Sequence, residues 1–235
     1  MKMTLMQHFA ELRRRILWTV LIFVLSFCFG WVVAPYTEMF LLKPLVNIWN
    51  DAMLLYTGLT DGLMIQFSLA TLTALLISIP VFMWHIWAYV APGLHKKEQE
   101  FLLPIFILSP LLFVIGAAFA FYILFPFVFK FFISLNESVL IPTVLMPAIT
   151  GYLSFSIGLL KVFGIAFQLP LVMVLLNRIG VLPKSVAIKS RRYVLICIFI
   201  AAAVLTPPDI VSQILLAVPM WLLFEVSLLF MKKDV

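Results

Sequence analysis

The sequence predicts an all-α protein that crosses a membrane several times. Its 235 residues are 65% hydrophobic and only 11% charged, whereas ordinary soluble domains are about half apolar and a quarter charged. Apolar stretches long enough to cross roughly 30 Å of hydrocarbon recur along the chain. Basic residues fall mainly in alternate connections between these stretches, and short basic loops are retained in the cytoplasm. We therefore expect a polytopic membrane domain with both termini in the cytoplasm.

The distribution of positive charge predicts the orientation. All of the 16 lysines and arginines except Lys43, Lys130 and Lys161 belong to one set of connections. That set is Lys2, Arg13, Arg14, Arg15, Lys96, Lys97, Arg178, Lys184, Lys189, Arg191, Arg192, Lys232 and Lys233. The net charge of +6 follows the membrane-flanking loops rather than one basic face. Orientation and anionic headgroups explain it, so nucleic-acid binding is not expected.

The chain begins with a segment, residues 3–15, that is predicted to form a short amphipathic helix on the inner surface. Apolar residues recur there with helical spacing, at Leu5, Phe9, Leu12 and Ile16. Such spacing is typical of a helix with one apolar face, and a helix of this kind rests in the membrane interface.

Six spans follow, forming one predicted domain over residues 1–235. We place the spans at about residues 16–34, 63–90, 101–132, 151–176, 193–205 and 211–231. The stretch 193–205 is short for a full crossing, which implies a thinned bilayer or an incomplete span. A tight turn over residues 206–209 joins the last two spans.

Prolines are frequent inside these spans. They are Pro80, Pro104, Pro110, Pro126, Pro170 and Pro219. Each proline removes a backbone donor and kinks its helix, which membrane helices tolerate when neighbouring groups satisfy the freed carbonyls. Many kinks in a small bundle favour a concave shape, and no internal repeat of the kind found in secondary transporters is visible.

The sequence contains no recognisable catalytic constellation. Nucleotide-binding, zinc-protease and serine-hydrolase motifs are missing, and the three histidines, His8, His85 and His95, are scattered. The two cysteines, Cys28 and Cys197, fall in apolar stretches and lack metal-ligand spacing. We expect no enzymatic activity, no cofactor and no metal.

Two acids on the predicted cytoplasmic side are candidate ligand-binding groups. Glu11 stands beside three arginines, and Glu98 follows two lysines before the third span. Each has a purely structural explanation. Glu11 can pair with Arg15 at i and i+4, and Glu98 can complement a helix dipole. Together they place two carboxylates on one membrane face, where a basic ligand can dock.

Further polar residues lie within or between the later spans. Gln168 needs a hydrogen-bond partner in the membrane, which an adjacent helix or another subunit can supply. Lys161 falls on roughly the same face, and a buried ammonium must either reach the interface or face a wet cavity. Glu225 lies in the last span near the inner surface, and Asp209 is a candidate N-cap of that span.

Several segments resemble motifs of TatC, the large subunit of the twin-arginine protein translocase. Residues 8–13 (HFAELR) resemble its amino-terminal HLxELR motif, and residues 91–98 (APGLHKKE) resemble its PALxxxE loop. Residues 163–170 (FGIAFQLP) are similar to its fourth-span motif. Residues 152–155 (YLSF) and 205–209 (LTPPD) also fit. The resemblance covers nearly the whole chain in the same order.

The resemblance implies a six-helix, glove-like fold with two short final helices. It also implies a receptor for folded precursors whose signal peptides carry two arginines, exported across the inner membrane by the proton-motive force. The expected partners are the single-span subunits TatA and TatB and twin-arginine signal peptides, in an oligomeric receptor complex. The implied signal-peptide site comprises Glu11, Glu98, Arg13, Tyr89, Pro92 and Leu94. The implied polar or partner-facing positions are Pro44, Gln168, Thr206, Asp209 and Gln213.

Two other functions fit the residues alone. One is a small secondary transporter with a polar site at Gln168 and Lys161. The other is a membrane scaffold with no ligand of its own. Binding of a twin-arginine peptide distinguishes both from a signal-peptide receptor.

Overall fold

The computed structural model describes residues 5–49, 53–90, 96–137, 146–205 and 210–232, of which residues 5–9, 90, 96–102, 105, 135–137, 205 and 212 are described by their backbone alone. Regular structure in these ranges is helical, apart from one isolated bridge between Leu55 and Ala148. The helices are α1 (Leu5–Ile48), α2 (Asp61–Val90), α3 (Lys96–Phe119), a π-helical turn (Ala120–Leu124), α4 (Phe125–Glu137), α5 (Ile149–Ala166), α6 (Leu169–Arg178), α7 (Lys184–Lys189), α8 (Arg191–Leu205) and α9 (Ile210–Phe230). The predicted all-α class is confirmed.

Five helical segments in the described ranges are long and apolar enough to cross a membrane. They are Ala10–Ile48, Asp61–Tyr89, Phe106–Ser134, Ile149–Arg178 and Gln213–Phe230. The remaining predicted span, 193–205, which is the fifth along the chain, falls within α8, which has 15 residues. At 1.5 Å per residue α8 is about 22 Å long, so it is shorter than the roughly 30 Å hydrocarbon layer.

The first helix differs from the sequence-based expectation. Instead of a separate helix over 3–15 and a span ending at 34, residues 5–48 form one continuous helix of 44 residues. No glycine or proline occurs between residues 5 and 29 to interrupt it. Beyond Pro35 the helix continues, with Leu41 and Leu45 buried on one face at i and i+4. Its length of about 66 Å exceeds the hydrocarbon thickness, so α1 extends beyond the membrane core.

Two other predicted spans are interrupted at prolines. In the stretch 101–132, the π-helical turn comes directly before Pro126, and the N–H of Phe125 bonds to the carbonyl of Ala120. The wider turn accommodates a proline that cannot donate to the carbonyl four residues earlier. In the stretch 151–176, α5 ends at Ala166 and α6 begins at Leu169, with Pro170 in its first turn. The predicted proline irregularities are therefore present at both places.

The described chain divides into two compact units. The first comprises residues 1–37 and 66–111, and the second comprises 38–65 and 112–235. In the first unit, α1 and α2 meet closely at Gly30, where an added β-carbon would lie 2.8 Å from the carbonyl oxygen of Ala70. Trp31 and Phe67 make an edge-to-face contact beside it, with ring centroids 4.9 Å apart. A side-chain-free position on α1 thus lets the two helix backbones approach.

In the second unit, α3 and α5 interlock through two glycines. A β-carbon on Gly116 would overlap the carbonyl oxygen of Phe163, and one on Gly164 would lie 2.6 Å from the ring of Phe113. Small residues at helix crossings allow close van der Waals packing, which is a main source of helix association in lipid. Nearby, the hydroxyl of Tyr152 on α5 donates to the carbonyl of Leu41 at 2.8 Å.

The end of the second unit is closed by polar bonds to the last described residues. The side-chain amide of Asn177 donates to the carbonyls of Leu182 (3.0 Å) and Lys232 (3.4 Å), and its oxygen accepts from the N–H of Lys232 at 2.7 Å. The ammonium of Lys184 donates to the carbonyl of Met231 at 3.4 Å. Met231 is itself buried in an apolar cluster with Ala187 of α7. The connection after α6 is thereby held against the end of α9.

Candidate functional site

Glu11 and Arg15 form an ion pair one turn apart on α1. The Nε of Arg15 donates to Oε1 of Glu11 at 3.0 Å, and its Nη2 donates to the same oxygen. The side chains are only 22% (Glu11) and 23% (Arg15) exposed. Residues at i and i+4 are neighbours on a helix surface. The structural explanation of Glu11 is therefore correct, and it means that the carboxylate already holds a guanidinium.

An open pocket of about 520 Å³, lined by both polar and apolar side chains, surrounds this pair; we call it the Glu11 pocket. It is lined by Ala10, Glu11, Arg14, Arg15, Trp18 and His85. All of these except His85 come from the first four turns of α1, and His85 is supplied by the C-terminal part of α2. Among the described lining residues Glu11 is the one acid and stands with two arginines, so a cationic ligand could bind the carboxylate only by displacing the guanidinium of Arg15.

An apolar groove of about 310 Å³ adjoins the Glu11 pocket. It is lined by Leu12, Arg15, Ile16, Thr19, Val20, Phe82, His85, Ile86 and Tyr89. Arg15 and His85 line both spaces. The Nδ1 atom of His85 is buried without a hydrogen-bond partner in the described part of the protein. A ligand with a basic end and an adjacent apolar segment matches this combination of surfaces.

The structure places only part of the predicted signal-peptide site. Glu11 lines the Glu11 pocket and Tyr89 lines the adjoining apolar groove, and the two spaces share Arg15 and His85. Arg13 is exposed on α1 and lines neither space. The backbone of Glu98 lies in the first turn of α3. This position agrees with its structural explanation, in which an acid near the start of a helix complements the helix dipole. The Glu98 side chain, and Pro92 and Leu94 entirely, lie outside the described residues.

The predicted intramembrane polar residues have separate settings. Gln168 lies in the break between α5 and α6, where its N–H donates to the carbonyl of Ile165 and its carbonyl accepts from the N–H of Val172, both at 2.9 Å.

Gln213 on α9 donates its side-chain amide to the carbonyl of Phe199 on α8 at 2.9 Å. Pro44 is buried on α1 and Lys161 is half-buried on α5. Thr206 and Asp209 lie outside the described residues.

Glu225 is also paired. The Nη2 of Arg191 at the start of α8 donates to its Oε2 at 2.7 Å, with side chains 46% (Arg191) and 31% (Glu225) exposed. The sequence predicts a position of Glu225 near the inner surface but identifies no partner for it. Among the described residues, no group of three or more histidine, cysteine or acidic side chains is placed to hold a metal.

Sequence reasoning missed Trp18 and His85 as pocket residues. His85 is separated from Glu11 by more than 70 residues, and its approach depends on how α1 packs against α2. One signal was available: His85 precedes Tyr89 by one helical turn, so both side chains point to the same helix face. Trp18 follows Arg14 by four residues and Arg15 by three, so its side chain shares their face of α1.

Comparisons with known proteins agree with the resemblance in the sequence. The family model described as TatC, Sec-independent protein translocase protein, matches residues 7–219. A Sec-independent protein translocase protein TatC from Rickettsia prowazekii is 35% identical over 226 residues, covering 95% of this chain and 90% of its own. The protein of the same name from Escherichia coli K12 is 33% identical, with 96% and 87% covered.

Solved structures are also similar. A crystal structure described as twin arginine translocase receptor TatC matches with a TM-score of 0.85 at 29% identity, covering 95% of this chain and 97% of that one. A second crystal structure of a TatC receptor matches with a TM-score of 0.87 at 29% identity, covering 96% and 99%.

Proposed function

The chain belongs to the TatC family of Sec-independent protein translocase proteins, and we propose from this that it binds the twin-arginine signal peptides of exported proteins. Family membership makes it a multi-pass membrane subunit of the twin-arginine translocation system. We therefore prefer this function to the two alternatives, a small secondary transporter and a membrane scaffold. We propose no enzymatic role for the chain itself.

The observation that carries the receptor proposal is the continuity of the Glu11 pocket with the apolar groove. A twin-arginine signal peptide presents guanidinium groups followed by an apolar stretch. The pocket offers one carboxylate, and the groove next to it offers mainly apolar side chains. Guanidinium–carboxylate bonds are about twice as strong as neutral hydrogen bonds, and apolar burial adds a non-directional attraction.

Each site residue has a distinct role in this proposal. Glu11 binds one arginine of the signal and Glu98 binds the other. Tyr89 contributes an aromatic wall to the groove. Arg13, Pro92 and Leu94 shape the approach to the two acids, as the family resemblance implies.

The topology proposed for the chain is six spans in the cell inner membrane with both termini cytoplasmic. The one-sided distribution of lysine and arginine supports it. The short helix α8 counts as the fifth crossing in this proposal, which requires the bilayer to thin locally around it. Export of folded precursors then draws on the proton-motive force, as the family resemblance implies.

We propose that the single-span subunits TatA and TatB bind near the polar positions of the later helices. Gln168 and Gln213 are the described candidates, and Pro44, Thr206 and Asp209 complete the set from the resemblance. The position of Gln168, a polar residue at the break between two apolar helices, supports this proposal, because polar side chains can form hydrogen bonds between membrane helices.

The test of the receptor proposal is the affinity of a twin-arginine peptide for the purified protein in lipid nanodiscs. One guanidinium–carboxylate pair contributes about 1–3 kcal/mol, and 1.4 kcal/mol is a factor of ten. Glu98→Gln is therefore expected to weaken binding about tenfold or more, and Glu11→Gln is expected to weaken it by a smaller factor, because Arg15 already competes for that carboxylate. A twin-lysine peptide should bind less tightly, because lysine lacks the planar fork.

Glu225→Gln is the matched control, since it removes an acid that is paired with an arginine outside the pocket. It should change peptide affinity less than twofold. Unchanged affinity in both the Glu11 and Glu98 variants, with the protein folded, would show that these acids are structural and that the receptor site is elsewhere.

A further inference from the structure

We propose that Arg15 is a built-in competitor for Glu11, holding the carboxylate until an incoming guanidinium replaces it and thereby selecting for two arginines. This inference rests on the proposed receptor function. It concerns a residue to which neither the sequence motifs nor the family resemblance assigned a binding role.

The contacts of Arg15 carry the inference. Two of its nitrogens donate to one oxygen of Glu11, and both side chains are less than one quarter exposed. Arg14, the preceding residue in the chain, also lines the Glu11 pocket but is exposed, and in the part of the chain that the structure describes it makes no hydrogen bond to Glu11. Of the two pocket arginines, only Arg15 therefore occupies the carboxylate.

The position of Arg15 also matters. It lines both the Glu11 pocket and the apolar groove, so its side chain stands where the two spaces meet. Long basic side chains place their aliphatic stems along apolar surface and their charged heads in polar surroundings. When Arg15 leaves Glu11, a guanidinium of the bound peptide can pair with the carboxylate, and the apolar segment of the peptide can enter the groove.

The exchange explains why one arginine is not enough. Replacing Arg15 by a ligand arginine breaks one guanidinium–carboxylate pair and forms another, so this step gives less net affinity than pairing with a free carboxylate would. A second arginine, which pairs with Glu98 in the proposed site, adds to the affinity of this exchange. A lysine cannot match the fork that Arg15 already presents, so it displaces Arg15 poorly.

The experiment compares Arg15→Gln with Arg14→Gln for binding of twin-arginine and twin-lysine peptides in nanodiscs. Both variants remove one positive charge from the same pocket, so long-range repulsion of the peptide falls equally. Arg15→Gln should bind the twin-arginine peptide about fivefold more tightly than Arg14→Gln, which corresponds to about 1 kcal/mol. The preference for arginine over lysine should shrink severalfold in Arg15→Gln and stay near the wild-type value in Arg14→Gln.

Equal affinities in the two variants, or weaker binding by Arg15→Gln, would overturn the competitor role. If Arg15→Gln does not fold, Arg15→Lys decides, because it keeps the charge and loses the fork. It should bind the twin-arginine peptide more tightly than the wild type, and equal or weaker binding would overturn the inference.

The background of Glu11→Gln separates this inference from the receptor proposal. With Glu11 replaced, Arg15→Gln should have no larger effect than Arg14→Gln, because there is no carboxylate left to release. If Glu11→Gln and Glu98→Gln both leave affinity unchanged, the receptor assignment fails. If Glu11→Gln weakens binding but the two arginine variants behave alike, the receptor assignment stands and only the competitor role fails.

Discussion

Replacing Gly116 by alanine should destabilise the protein through a collision that no side-chain movement can relieve. The β-carbon of alanine would overlap the carbonyl oxygen of Phe163, which belongs to the backbone of α5. To relieve the overlap, two packed helices must separate. Overpacking of this kind costs about 1–3 kcal/mol, while alanine in place of a helical glycine returns up to about 1 kcal/mol. The net loss is therefore about 0–2 kcal/mol for Gly116→Ala.

Gly151→Ala is the matched control. Gly151 is also helical, and an added β-carbon there meets no atom within 4 Å. This variant should be unchanged or more stable by up to about 1 kcal/mol. The two alanine variants should thus differ by about 1–3 kcal/mol. We would measure that difference by unfolding the purified protein reversibly in detergent.

Gly164 distinguishes the proposed cause from a general intolerance of larger residues. Its added β-carbon would collide with the ring of Phe113, a side chain that can be shortened. Stability lost in Gly164→Ala should be partly restored by Phe113→Leu, whereas no such single change should rescue Gly116→Ala. The reasoning is refuted if Gly116→Ala is as stable as Gly151→Ala.

Two further predictions concern topology and partner binding. Reporters fused after Lys97, Ser190 and Val235 should be cytoplasmic and those after Asp51, Val139 and Asp209 external, as measured with paired phosphatase and fluorescent fusions. A cytoplasmic signal from any of the external positions would contradict six crossings. Gln168→Leu should weaken association with the single-span subunits severalfold, since interhelical polar bonds in membranes contribute about 0.6–1.7 kcal/mol. Co-purification and peptide binding should be measured together, and loss of both would point to misfolding instead of a partner site.

Much of the helical framework is predictable from the sequence because apolar length is a strong signal. The predicted starts at residues 63, 151, 193 and 211 lie within two residues of the starts of α2, α5, α8 and α9. Each start follows a polar or turn-forming stretch. Boundaries of this type are set locally, so a single sequence contains the necessary information.

The extent of α1 was not predictable in the same way. Pro35 and the charged residues after it are typical of a connection, yet the helix continues to Ile48. The continuation is stabilised by burial of Leu41 and Leu45 and by the bond from Tyr152, which comes from more than 100 residues later. Tertiary packing overrides local propensity there, and packing partners cannot be identified from one sequence.

The candidate site shows the same division. Glu11 and its pairing with Arg15 follow from i,i+4 spacing on one helix. The contribution of His85 depends on the approach of α2 to α1, which is fixed by close contacts such as that of Gly30 with Ala70. Spacing within a helix is therefore readable from the chain, whereas a pocket between helices is not.

The bonds between Asn177 and Lys232 impose an order on biosynthesis. A chain is made from its amino terminus, and early parts generally fold first. Asn177 leaves the ribosome long before Lys232, so its carboxamide lacks the two bonds that it makes with Lys232 until residue 232 has been added. The connection after α6 therefore cannot be held against the end of α9 until then, and a nascent chain that stops before residue 231 lacks these bonds.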